Sequence, residues 1–347
     1  MTKILPYSKP LITSFPDIAS VFSVIGNHLT NTSAWICDHY INLVAFKDDA
    51  IKNNHKWLGN FYDGIGNERI TIQAQCPYLE RQVVDKNVFL KKDSIDVFIK
   101  HCINNGYYIY LYLDLFYIEC SECFNNKHLL HPVTIYGYSD EYDTFNIADF
   151  FVNNKYMTKV ISTKVLKLSF GKLSNFKLNN ENIRLSTQMI ELYKYKDSNY
   201  EMNIEYMLRQ LRNYVGANDS FHKLESDGCL GGFSKIYGIN YYKTLIEILN
   251  NSNGYIDKRN FHLLCDHKAL MIYRVCYLLN NNLIKESIYK DLFKQCKALY
   301  NDSIILRNKV LMYNIKKRDN LIKSMVELCE NIVENDIKMI NNLLSAV

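Results

Sequence analysis

Glycine and proline are scarce in this chain, at 13 and 5 of 347 residues. That scarcity argues against long flexible or proline-rich linkers. No window holds about 20 uninterrupted apolar residues, so no membrane span is expected. The N-terminus has no basic segment followed by an apolar stretch, so no secretory signal is read there. Dense basic runs are missing as well. The longest is Lys316-Lys317-Arg318, inside a helical pattern, and the formal charge is only +5. Nucleic-acid binding is therefore not expected, although a mild positive balance suits an acidic protein partner. The ten cysteines lack the spacing of a disulfide framework. They read as free thiols of a cytoplasmic protein.

Hydrophobic residues make up 48% and charged residues 22% of the chain, the balance of a folded protein. The length suits two domains. Tyrosine is abundant, at 27, and reads as core and groove lining.

The apolar pattern changes along the chain. Pro16 and Asp17 suit a helix start, and Gly26 a stop. The apolar positions between them fill more than one face, so this helix is expected to be buried. Gly59 and Gly64-Ile65-Gly66 mark loops. Val97–Asn105 reads as a helix ended by Gly106. Tyr107–Asp114, Leu130–Gly137 and Thr144–Asp149 read as strands, with a polar turn at Ser139–Asp143. After about 185 the pattern is helical almost throughout, over Ile204–Tyr214, Tyr241–Leu249, Phe261–Leu279 and two long stretches from Ile288 to Val347. The expected architecture is α+β. A first domain over 1–175 packs a helix on an antiparallel sheet, and an all-helical domain follows over 185–347.

The hairpin carries the chemistry. His131 and Asp149 are symmetric about residue 140, so a simple register sets them opposite each other, with Cβ atoms about 4.5–5.5 Å apart. Val133 would then pair with Ile147 and Ile135 with Phe145, in a core-facing stripe. A carboxylate there accepts the proton of one imidazole nitrogen and leaves the other as a base. Taken alone, the pair also fits a histidine capping a strand and an aspartate starting a loop.

The stretch His131-Pro-Val-Thr-Ile-Tyr-Gly-Tyr, a turn, then Phe-Asn-Ile-Ala-Asp149 resembles the His-to-Asp hairpin of papain-like peptidases of the C39 type. It is closer still to the N-terminal domain of the butirosin biosynthesis protein H family. The preceding strand with Leu113-Asp114 is similar too, and the resemblance covers residues 10–160. Asp257-Lys-Arg259-Asn-Phe261 and Asp266-His267-Lys268 resemble the helical half of those proteins.

The resemblance implies a papain-like fold and a nucleophile at the start of the first helix. The family places cysteine there; here the frame Ser14-Phe15-Pro16-Asp17 puts Ser14 in that position. Ser14 is thus a nucleophile in its own right, a replacement for cysteine, or the mark of a non-catalytic relative. A thiol would gain thiolate character from the helix dipole, whereas a hydroxyl needs the base during attack. The implied activity is acyl transfer from the phosphopantetheine thioester of an acyl or peptidyl carrier protein to an amine, as in amide-forming enzymes of nonribosomal polythioamide pathways. Ser14, His131 and Asp149 are the implied catalytic residues, with no metal and no resident cofactor. A hydrolase built on the same triad and an inactive binding homologue are the alternatives.

Other signals are weaker. Cys120, Cys123, His128 and His131 have a zinc-like order but too short a spacing. Cys37 and His39 are too close in sequence to face each other. Asp266-His267-Lys268 reads as an ion-paired surface or inter-domain contact, or as a grip on a phosphorylated partner. Gly231-Gly232 reads as a turn.

Overall fold

The computed structural model describes residues 1–48, 57–62, 76–86, 94–153, 155–171, 188–219 and 233–347. The expected loops at Gly64–Gly66 and Gly231–Gly232, and the expected boundary between 175 and 185, lie outside them. The fold is mixed α/β, with antiparallel sheets in the N-terminal part and a helical C-terminal region.

The chain forms two compact units, and they interleave. One comprises Met1–Asn31 and Gln73–Asn199, the other Thr32–Ile72 and Tyr200–Val347. One cut between 175 and 185 therefore does not separate them. Strands β2 (Leu43–Asp48) and β3 (Leu58–Phe61) pair with β10 (Phe233–Tyr237), far along the chain, rather than with the large sheet.

In the first unit the large sheet has the order β4-β9-β5-β6-β7-β8, with β1 pairing β6. Its strands are β1 (Thr2–Ile4), β4 (Leu79–Asp85), β5 (Tyr108–Asp114), β6 (Leu130–Ser139), β7 (Thr144–Val152), β8 (Lys155–Ser162) and β9 (Met189–Tyr195). All described pairings are antiparallel. Residues Pro132 to Ser139 of β6 are buried without alternation, so both faces of this central strand are covered. Helix α1 (Pro16–Ile25) is one cover. Every residue from Ile18 to Ile25 is buried, as its all-round apolar pattern requires. Its buried Ser20 accepts a hydrogen bond from Thr134 Oγ1 at 2.8 Å, which fixes the helix on β6. Helices α3 (Ile95–Asn104) and α4 (Thr163–Gly171) also pack on the sheet. Gly106, at φ +84°, makes the left-handed step that lets the chain leave α3 and enter β5.

The second unit holds the three-stranded sheet β10-β2-β3 and the helices α2 (Leu29–Asp38, begun in the first unit), α5 (Ile204–Gly216), α6 (Tyr241–Asn250), α7 (Arg259–Asn280), α8 (Glu286–Lys316) and α9 (Asn320–Ala346). Helix α7 ties the unit together. Asn260 accepts from the Gly59 N–H at 2.7 Å and donates to the Trp57 carbonyl at 2.9 Å, clamping β3. Arg274, 1% exposed, donates to the Cys37 and His39 carbonyls at 2.6 and 2.9 Å. It satisfies carbonyls that the end of α2 leaves open.

Asp266-His267-Lys268 is buried in this unit, which overturns the reading of a surface contact or phosphate grip. Lys268 forms an ion pair with Asp336 of α9, and the Asp336 carboxylate also accepts from Tyr214 and Tyr242 at 2.7 and 3.1 Å. Among the described residues no helix is long and apolar enough to cross a membrane.

Candidate functional site

Strands β6 and β7 form the expected hairpin with a different register. Ser139 pairs with Thr144 and Gly137 with Asn146, but Ile135 pairs with Ile147. Tyr136 is the extra residue of a bulge. The last described pair is Thr134 with Ala148. His131 lies three positions before it and Asp149 one after, so the two are offset by two residues and meet diagonally. The direct pairing expected from symmetry about residue 140 does not occur.

The diagonal still closes the contact. His131 Nδ1 lies 2.7 Å from Asp149 Oδ2. Asp149 is fully buried, while the His131 side chain keeps 27% of its surface. The Phe150 ring stands edge-on to the imidazole at 6.5 Å. A buried carboxylate facing Nδ1 selects the tautomer with its proton there and leaves Nε2 as the basic nitrogen. Burial pushes the Asp149 carboxyl above its usual range, and the His131 hydrogen bond opposes that rise. The second oxygen, Oδ1, has no hydrogen-bond partner among the described residues.

Ser14 precedes α1 by two residues and is half-buried. Phe15, not Ser14, is the N-cap, and the Phe15 side chain makes no capping hydrogen bond. The structure joins His131 to Asp149 but does not put Ser14 in hydrogen-bond contact with either. Side chains alternate along a strand. Thr134, which holds α1, and His131 belong to opposite sets of β6.

No protein-family model matches this chain, and no curated protein matches it.

The two histidines of the zinc-like order go elsewhere. His128 Nδ1 lies 2.7 Å from Asp114 Oδ2, and His131 pairs with Asp149. Among the described residues no group of three or more His, Cys, Asp or Glu side chains could hold a metal ion. The Asp114–His128 pair was not foreseen. Asp114 Oδ1 also accepts from the Phe116 and Leu129 N–H groups, at 3.1 and 3.3 Å, so this carboxylate stitches the loop between β5 and β6. That loop then closes on the end of β7, where the Glu122 N–H donates to the Phe151 carbonyl at 3.0 Å. It carries Cys120 into electrostatic reach of Lys159 and Asp149. Burial is the main cause raising the Cys120 thiol, with Lys159 opposing it. Cys37 is buried, and its thiol is pushed up to about 12 by burial. His39 bonds Asp38 at 2.6 Å, so no Cys37–His39 dyad forms.

Proposed function

We propose that this chain is an acyltransferase that moves an acyl group from the phosphopantetheine thioester of a carrier protein to an amine, in a papain-like arrangement. The observation that carries the reading is the His131–Asp149 contact at 2.7 Å, with the carboxylate buried and the imidazole open on one side. The placing of the base and its orienting acid on adjacent strands supports the same reading.

In this scheme the Ser14 hydroxyl attacks the thioester carbonyl and His131 Nε2 takes its proton. The tetrahedral adduct expels the pantetheine thiolate, which leaves with that proton, and the acyl group remains as an ester on Ser14. The amine then attacks the ester, His131 takes a proton from the nitrogen, and Ser14 leaves reprotonated as the amide departs. Asp149 holds the imidazole and stabilises its charged form. This step requires the Ser14 hydroxyl to reach Nε2, although Thr134, which holds α1, and His131 belong to opposite sets of β6.

Cys120 is the alternative nucleophile to test, although burial and the Asp149 charge both raise its thiol, which works against a thiolate. Intact-mass analysis with an acyl-pantetheine thioester, followed by peptide mapping, tests both. An acyl adduct on Ser14 that turns over to amide only with an amine is the expected result. Release of free acid makes the protein a hydrolase, and an adduct on Cys120 moves the nucleophile. His131→Ala should lower turnover by about 10³-fold or more. Unchanged turnover in that variant removes the mechanism.

A further inference from the structure

Helix α8 is one of the longest elements of the fold and buries one face. Leu292, Cys296, Leu299, Ser303, Leu306, Val310 and Tyr313 follow at alternating steps of four and three residues, the spacing of a single helical stripe. The opposite stripe faces solvent and is unlike an ordinary solvated surface. Ile305 is 46% exposed, Met312 42% and Ile315 81%. Steps of seven and three residues line them up on one side of the helix. Lys294 and Lys297 lie before them and Lys316, Lys317 and Arg318 after. From 294 to 318 every exposed position is basic, amide or apolar; Asp302 within the span is half-buried, and exposed acids flank it at Asp291 and Asp319.

The helical part of that span, from Lys294 to Lys316, is about 33 Å long at 1.5 Å per residue. It has an apolar middle, cations at both ends and no exposed carboxylate. A second copy of the same helix would bring like charges together at some or all of these positions. The complement is a helix of similar length with an apolar stripe and acidic flanks.

We infer that this face of α8 docks a protein offering an acidic amphipathic helix. In the function proposed above, on which the partner's identity rests, that protein is the carrier presenting the thioester. Ile315 and Met312 are its apolar anchors. The cations at the ends give orientation and a salt-dependent association rate.

The test uses the full-length protein, a purified holo acyl carrier protein as binding probe, and two donors: acyl-carrier protein and free acyl-pantetheine. Ile315→Asp and the pair Lys316→Glu/Arg318→Glu are compared with the parent. The expected result is a rise of about tenfold or more in the Kd for carrier for each variant, and a flatter salt dependence for the charge variant. KM for acyl-carrier protein should rise in step, with turnover of acyl-pantetheine unchanged. Equal carrier binding by all three proteins overturns the assignment. So does a parent that uses acyl-pantetheine but binds no carrier, which leaves the proposed chemistry standing. Carrier binding weakened by both variants, with no acyl transfer from either donor, keeps the docking face and removes the chemistry. A parent dimer in sedimentation that Ile315→Asp converts to monomer overturns the assignment in favour of self-association.

Discussion

Replacing Asp336 with asparagine should destabilise the second unit far more than its modest change in shape suggests. Lys268 is buried within α7, and among the described residues its positive charge is paired with one carboxylate, Asp336, itself 0% exposed. Burial lowers the pKa of the ammonium group, and the Asp336 charge and hydrogen bond pull it back up. Tyr214 and Tyr242 donate to the same carboxylate oxygen. Burial first, and the Asp336 charge after it, hold both phenols well above their usual pKa, so they remain donors. An amide oxygen can still accept from one or two of these groups but cannot balance the buried cation. Breaking one side of a buried pair costs about 3–5 kcal/mol. For a domain of roughly 150–250 residues that corresponds to a fall in Tm of about 6–20 °C.

Urea unfolding followed by far-ultraviolet circular dichroism gives the comparison, with Cm read at constant m. The double variant Lys268→Met/Asp336→Leu removes both charges together. It should lie within about 2 kcal/mol of the parent, since its main remaining loss is the acceptor for two phenols. Two results refute the reasoning. One is Asp336→Asn within about 1 kcal/mol of the parent. The other is a double variant no better than the single one.

His267 gives a pH prediction. Its Nε2 lies 2.8 Å from the Ile41 carbonyl. Burial, and then the Lys268 charge, holds its pKa well below the usual value. The unfolded chain binds a proton near pH 6.5 and the folded one does not. Stability is therefore whole above about pH 6.5 and falls as acid is added, by up to about 1.4 kcal/mol per pH unit, until the folded value is reached. His267→Gln should flatten that slope in urea titrations from pH 7.5 to 5.5, and a parent and variant with parallel profiles would contradict it. Gly238 sits at φ +56°, where an added Cβ would lie 2.2 Å from the Tyr214 carbonyl oxygen. Gly238→Ala should therefore cost about 2 kcal/mol or more, and an unchanged melting curve would refute that.

The elements legible in the sequence are those with local punctuation. Pro16 and Gly26 bracket α1, Gly106 ends α3, and the polar run at 139–143 turns the hairpin. Strand β9 escaped notice because it sits among helical patterns. Its role is to fill the gap between β4 and β5, strands more than 70 residues earlier in the chain. The bulge at Tyr136 hid behind a regular apolar alternation. Gly137 beside it was the available sign, since an isolated strand glycine often marks a bulge or a close approach. An added Cβ there would meet the Ile4 backbone at 3.0 Å. His131 and Asp149 were found as partners because a two-residue offset keeps both on one face. The Lys268–Asp336 pair joins residues 68 positions apart in the chain and has no local signature.

The interleaving has a consequence for how the polypeptide matures. A ribosome has already delivered β2 and β3 when it reaches β4 of the large sheet, yet their strand partner β10 is made only after β9. The early pair must wait, with an open edge, while roughly 170 residues are added. Non-local pairing of this kind folds slowly and exposes strand edges to other chains. A gene fragment starting at residue 185 would lack β2 and β3, and one stopping at 175 would leave β4 and β5 without the strand that lies between them. Neither piece is a natural folding module, so shortened versions should follow the pairing of strands rather than a midpoint in the chain.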